Sequence, residues 1–263
     1  MINSTTFQHQ VMQNKYILSL FYAILGIATF LGQSCRPVYA PAGMVDVTSY
    51  MPAPFPKDST RVSQHYISGG YSQGVRYLPN DFNHLAMAQY HYANTQPINI
   101  DTKSFHSLAL GGVVYVGQYD LKDNRIGENW RGNFNYYSMA FRLSYSYIVK
   151  LNDKWYVNPA GYMATFGIEG GSYNEHIQRA AENGQVSNLG VKVLFSNNYS
   201  FGFGTKFNEN WQLDVQNVLG FYFLYFPMSY TNVHLRYKKV HALTGVQVLG
   251  LNPAWRVGMS IDF

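Results

Sequence analysis

From Tyr137 to Val149 the chain alternates residue by residue. Tyr137, Met139, Phe141, Leu143, Tyr145, Tyr147 and Val149 share one face; Ser138, Ala140, Arg142, Ser144, Ser146 and Lys150 share the other, with Ile148 as the single exception. A period of two is the signature of a β-strand with one greasy and one polar face. Leu151-Asn152-Asp153-Lys154 is a tight polar turn. Beyond it Tyr156, Ala160, Tyr162, Ala164, Phe166 and Ile168 line one face, opposed by Gly161, Thr165, Gly167 and Glu169. The two runs read as a hairpin. The last nine residues repeat the pattern: Trp255, Val257, Met259, Ile261 and Phe263 against Arg256, Gly258, Ser260 and Asp262.

Other stretches carry the same period less cleanly. Ala86, Ala88, Tyr90 and Tyr92 oppose Met87, Gln89 and His91, and Leu108, Leu110, Val114 and Val116 share a face beside Gly111-Gly112. Arg61 to Gly74 is strand-like. Gly190 to Phe195, Tyr199 to Phe207 and Trp211 to Phe223 are separated by Ser196-Asn197-Asn198 and Asn208-Glu209-Asn210. Val233 to Leu251 is one strand, or two broken at Lys238-Lys239. The count is ten strands, or eight if the short segments merge. The pattern therefore predicts an all-β fold, an antiparallel up-and-down transmembrane barrel. The stretches near 75–83, 119–132 and 171–186 are its longer loops. In the last of them Ser172 to Glu175 has capping-box spacing, and Asn183-Gly184 stops a short helix over 177–182.

The front of the chain differs. After Lys15 comes a 16-residue apolar run, Tyr16 to Leu31. A spanning helix needs roughly 20 residues, and a signal-peptide core about 7 to 15, so residues 1–34 read as a signal peptide. Translation begins at Met1 or, with a more ordinary leader, at Met12. Leu31 to Cys35 resembles a relaxed lipobox of the Bacteroidota kind, in which Cys35 becomes the lipidated, palmitate-bearing first residue. The other readings are a cut after Ala40, where Pro41 would follow the scissile bond, and a chance cysteine in a discarded peptide. Five prolines, Pro37, Pro41, Pro52, Pro54 and Pro56, mark residues 35–57 as an extended tether. Residues 58–263 form one barrel domain.

Composition sharpens this picture. Charged residues are 13% and aromatics 17%, with 23 tyrosines, yet after Leu31 no apolar run is long enough for a helical span. Alternating strands give such middling hydropathy, and tyrosine suits the two membrane interfaces. The net charge of +5, or +4 from Cys35 onward, is too small and scattered for nucleic acid. A single cysteine excludes an internal disulfide.

Candidate chemistry is sparse. Glu175 and His176 sit in the longest loop, but neighbours on a helix point apart, and there is no Gly-x-Ser-x-Gly elbow. His65, His91 and His106 fall on successive strands without metal-ligand spacing. Arg142, Glu169, Arg256 and Asp262 fall on inward faces, and mixed charge in a narrow lumen predicts a hydrogen-bonded filling. No catalytic, metal or cofactor set emerges.

Taken together, Cys35 followed by Arg-Pro-Val-Tyr-Ala-Pro, the proline-rich tether, and about ten strands ending in Arg-Val-Gly-Met-Ser-Ile-Asp-Phe resemble small outer-membrane barrel lipoproteins of Bacteroidota. The ending resembles the terminal signal of bacterial outer-membrane barrels, with Arg256, Gly258, Ile261 and Phe263 at its fixed positions. The resemblance implies a bacterial outer-membrane location, short turns and both chain ends on the periplasmic side, and engagement by the barrel-assembly machinery. It further implies contact with outer-membrane lipid and a structural or accessory role, including membership of a larger outer-membrane complex. A narrow channel for small or apolar solutes is the alternative, and a rim-located hydrolase ranks below it.

Overall fold

The structure is a computed structural model. It describes residues 38–39, 60–75, 81–98, 103–122, 126–188, 192–222, 226–249 and 254–263. The signal peptide, Cys35 and most of the tether lie outside the described residues.

Ten strands close into one antiparallel barrel. In chain order they are β1 (Val62–Val75), β2 (Phe82–Pro97), β3 (Ser104–Leu121), β4 (Gly132–Lys150) and β5 (Trp155–Gly170). Then come β6 (Val193–Lys206), β7 (Trp211–Tyr222), β8 (Phe226–Tyr237), β9 (Val240–Leu249) and β10 (Ala254–Asp262). Each strand pairs with its neighbour in sequence, and β10 pairs with β1, Gly258 facing Gly70 and Ile261 facing Ile67. Phe263 continues this seam: its N–H donates to the carbonyl of His65 at 3.1 Å. Closure leaves no strand edge, which a barrel in lipid requires.

The expected count of ten holds, but one expected break is absent, the break offered at Lys238-Lys239 is present, and one strand changes face along its length. Ser196-Asn197-Asn198 is no break; it lies inside β6, where Ser196 and Asn198 point inward and are buried. Polar residues suit a strand interior when that face lines a polar lumen. Lys238-Lys239, by contrast, is a true two-residue turn between β8 and β9, with Lys238 at φ 52°. The change of face lies in β5. A bulge between Asn158 and Gly161 switches the faces, so Tyr156 is buried in the lumen while Phe166 and Ile168 face out. Strict alternation carried across Pro159-Ala160 places Tyr156 on the wrong side. Ile148, the exception in β4, is simply inward and packs with Phe105 and Tyr156.

Two of the tight turns use one device. Asn152 Oδ1 accepts the N–H groups of Lys154 and Trp155 at 2.9 and 2.8 Å. Asn208 Oδ1 accepts those of Asn210 and Trp211 at 2.9 and 3.0 Å. An asparagine side chain mimicking a backbone turn thus starts both following strands with a tryptophan.

The outward faces form an apolar belt. Leu108, Leu110, Val114, Val116, Met139, Phe141, Phe166, Ile168, Met259 and Ile261 are all exposed. Among the described residues no helix is long and apolar enough to cross a membrane; the strands are the crossing elements.

Candidate functional site: the filled lumen

The lumen has two halves of different chemistry. The half toward the longer loops is aromatic and aliphatic. Leu85, Met87, Val113, Tyr115, Tyr119, Tyr136, Leu194, Val218 and Tyr230 form a buried cluster with residues of the loops above. Part of the cover is α1 (Ser172–Glu182), which buries Tyr173, Asn174, Ile177 and Ala180. Tyr173 stacks on Tyr119 with ring centroids 4.7 Å apart. Tyr39 reaches the same end of the barrel: its hydroxyl donates to Asp81 Oδ2 at 2.9 Å, and Val38–Tyr39 pairs in parallel with Ser187–Asn188.

The expected helix is therefore present, but it is longer and differently capped. No side chain caps its N-terminus. Ser172 Oγ instead accepts the N–H of Asn135 at 3.1 Å, tying the helix to the start of β4. Gly171, at φ +114°, makes the entry turn. At the far end Gly184, at φ +71°, follows Asn183, whose side-chain amide donates to the carbonyl of Arg179 at 2.8 Å.

Glu175 and His176 do not converge on anything. Glu175 is exposed, and His176 is a seat. Its Nε2–H donates to the carbonyl of Trp130 at 2.9 Å, and its ring stacks on Phe134 at 3.9 Å. Partial burial pushes the imidazole below the ordinary histidine range, opposed by the Trp130 carbonyl and aided by Arg179.

The middle of the lumen is organised by Arg142, which is fully buried. It donates from Nη1 to Gln89 Oε1 at 2.6 Å and from Nη2 to the Tyr115 hydroxyl. Arg256 is buried in the same manner, donating to Asn232 Oδ1 and lying 5.2 Å from the Tyr230 ring centroid. Arg142, Glu169, Arg256 and Asp262 are all interior.

The half toward the short turns is polar and titratable. Asp214 Oδ2 meets His234 Nδ1 at 3.1 Å, His234 Nε2 meets His241 Nδ1 at 2.9 Å, and His241 Nε2 lies 3.4 Å from Asp262 Oδ2. Arg236 Nη2 donates to the same Asp262 oxygen at 2.8 Å, and Gln64 Nε2 at 3.0 Å. Gln212 links Asp214 to the Tyr156 hydroxyl. Below this network the barrel opens into a vestibule of about 400 Å³, lined by Gln64, Lys206, Glu209, Gln212 and Arg236 among others.

Of the three histidines on successive strands, only His91 points inward, where it stacks on Tyr66 at 4.4 Å. His65 and His106 lie on outward faces, His65 stacked against Phe263 at 5.7 Å. Among the described residues no group of three potential ligands is placed to hold a metal. The histidines that do meet, His234 and His241, stand on strands that share an unremarkable tract of sequence; only register brings them together. A further feature hidden from the sequence is the use of tyrosine. Tyr71, Tyr90, Tyr137 and Tyr199 do face outward, but Tyr39, Tyr66, Tyr115, Tyr119, Tyr136, Tyr156, Tyr173 and Tyr230 fill the inside.

No family model matches the sequence, and no curated protein matches it. Solved structures with a related arrangement include an outer-membrane channel of Pseudomonas putida F1. It is 8% identical, with 81% of this chain and 100% of that one covered and a TM-score of 0.42. The β-domain of the Bordetella autotransporter BrkA is 11% identical, covering 76% and 99%, with a TM-score of 0.43. The transport unit of the Escherichia coli autotransporter AIDA-I is 10% identical, covering 86% and 100%, at 0.41. The chain's own geometry establishes the architecture: a closed ten-strand antiparallel barrel of the outer-membrane type, apolar outside and filled within.

Proposed function

We propose that this chain is a non-enzymatic barrel of the bacterial outer membrane with a structural or partner-binding role. The observation that carries the reading is the filled lumen. Buried tyrosines and aliphatic residues occupy the loop half, Arg142 and Arg256 are hydrogen-bonded across the middle, and α1 packs over the mouth. Such packing serves rigidity more than permeation. In this orientation the longer loops face outward and the turn-end edge at Phe263 faces the periplasm. Residue-specific cross-linking in native membranes, from sites on the loops and on the turns, tests the role. A defined cross-linked partner supports it; recovery of an isolated monomer from every site overturns it.

One observation favours a second reading, a narrow channel: the vestibule of about 400 Å³ at the turn end. Reproducible conductance of the purified protein in planar bilayers supports that reading, and silence removes it. The reading of Cys35 as the lipidated residue is tested by metabolic labelling with a fatty-acid analogue, which Cys35→Ala must abolish.

A further inference from the structure

The hydrogens of the turn-half network do not add up. Asp214, His234, His241 and Asp262 make three successive contacts, and each needs one hydrogen between its two heavy atoms. A neutral imidazole carries one ring hydrogen, so two neutral rings supply two hydrogens for three contacts. With both carboxylates ionised, one contact is then lone pair against lone pair. The distances show which one. The contacts at 3.1 and 2.9 Å are ordinary hydrogen bonds, whereas His241 Nε2 and Asp262 Oδ2 stand 3.4 Å apart. His241 Nε2 makes no hydrogen bond, and Asp262 Oδ1, 1% exposed as a residue, has no partner either.

Charge points the same way. With both rings neutral, two carboxylates face the single guanidinium of Arg236, which leaves the cluster at −1. One added proton makes it neutral and supplies the missing third hydrogen. The ring and amide groups seen around it among the described residues are uncharged. Tyr66 from β1 lies edge-on to His241 at 5.5 Å and donates to Gln64. His91 from β2 is one ring further away, stacked on Tyr66. Tyr156 from β5 reaches Asp214 only through Gln212. A proton also has a way in, because Gln64 and Arg236, which hold Asp262, and Gln212, which holds Asp214, all line the turn-end vestibule. On the loop side the apolar cluster and α1 lie between the network and the solvent.

We propose that the Asp214–His234–His241–Asp262 chain is a proton-binding site that takes up one proton from the turn-end vestibule, converting His241 to an imidazolium between His234 and Asp262. The proton comes from water, no covalent bond other than N–H changes, and the site goes from −1 to neutral. This stands independently of whether the barrel binds a partner.

The test uses the full-length protein, labelled with ¹⁵N-histidine and held in detergent micelles, followed by ring-nitrogen chemical shifts from about pH 8 to about pH 5. His234→Gln and His241→Gln identify the two rings. The expected result is that one ring of the pair gains a proton on both nitrogens while its neighbour keeps a single hydrogen. Asp262→Asn should lower the affinity for that proton about tenfold or more, since it removes the carboxylate that faces it. The unsubstituted protein alone decides the first point: if both rings stay neutral down to about pH 5, the proposal is wrong. If the rings titrate independently and folded Asp262→Asn leaves them unchanged, it is equally wrong.

Discussion

Arg142 shows what a single residue does in this lumen. Its side chain joins β4 to β2 through Gln89 and to β3 through Tyr115. Removing it with Arg142→Ala leaves a void and takes the donor from both partners, at a cost of about 2–5 kcal/mol, as for a large-to-small change in a packed interior that also unpairs buried polar groups. Arg142→Met keeps most of the volume and should cost clearly less. Thermal melting in detergent of both variants measures the difference; equal melting temperatures would mean that the filled volume contributes nothing and that the whole loss lies in the hydrogen bonds of the guanidinium. The sequence marks Arg142 as an inward residue by its place in the alternation. It cannot mark Gln89 and Tyr115 as its partners, because these stand 53 and 27 residues away and meet it only through the register of three strands.

At the scale of an element, α1 has an entry that only glycine fits. A Cβ on Gly171 would lie 2.6 Å from the carbonyl oxygen of Asn135, on a backbone at φ +114°. Gly171→Ala therefore costs at least the roughly 1–2 kcal/mol of a disfavoured backbone region, and the helix should lift from β4. Faster tryptic cleavage at Arg179 in the folded protein reads this out. His176 makes the same seat sensitive to pH. Because the folded imidazole holds its proton more weakly than an unfolded one, its contribution is complete above about 6.5 and is lost as the pH falls through the lowered value. Cleavage at Arg179 should accordingly rise on acidification, and His176→Phe should flatten that dependence. The helix itself was visible from its stop signal at Asn183-Gly184. Its cap was not, since Ser172 finds Asn135 on a strand 37 residues away before it finds its own helix. The local pattern failed likewise at Pro159-Ala160, where a bulge, invisible to a strict period of two, decides the direction of Tyr156.

For the whole molecule the governing fact is inversion: apolar residues line the outside and charges the inside. An arginine placed in the middle of the belt, as in Leu110→Arg, should cost about 2–4 kcal/mol, falling to about 0–1 near the interfaces, as at Phe207→Arg beside the Asn208 turn. The folded fraction recovered from membranes, read from unheated gel mobility, checks the contrast; equal losses at the two positions would contradict a lipid-facing belt. That belt and the all-β class were legible in the chain because a two-residue period is a local property: each side chain's face follows from its neighbours alone. The strand count was less so, since Ser196-Asn197-Asn198 reads as a break and lies inside a strand. The inside of the barrel was not legible, because a lumen is built from ten strands at once and a one-residue change of register exchanges every contact across it. Sequence therefore determined that Asp262 points inward. Tertiary structure decided that it meets His241, Arg236 and Gln64 there, and that tyrosine, expected at the interfaces, also fills the interior, because closing the barrel turns one face of every strand toward the same narrow space.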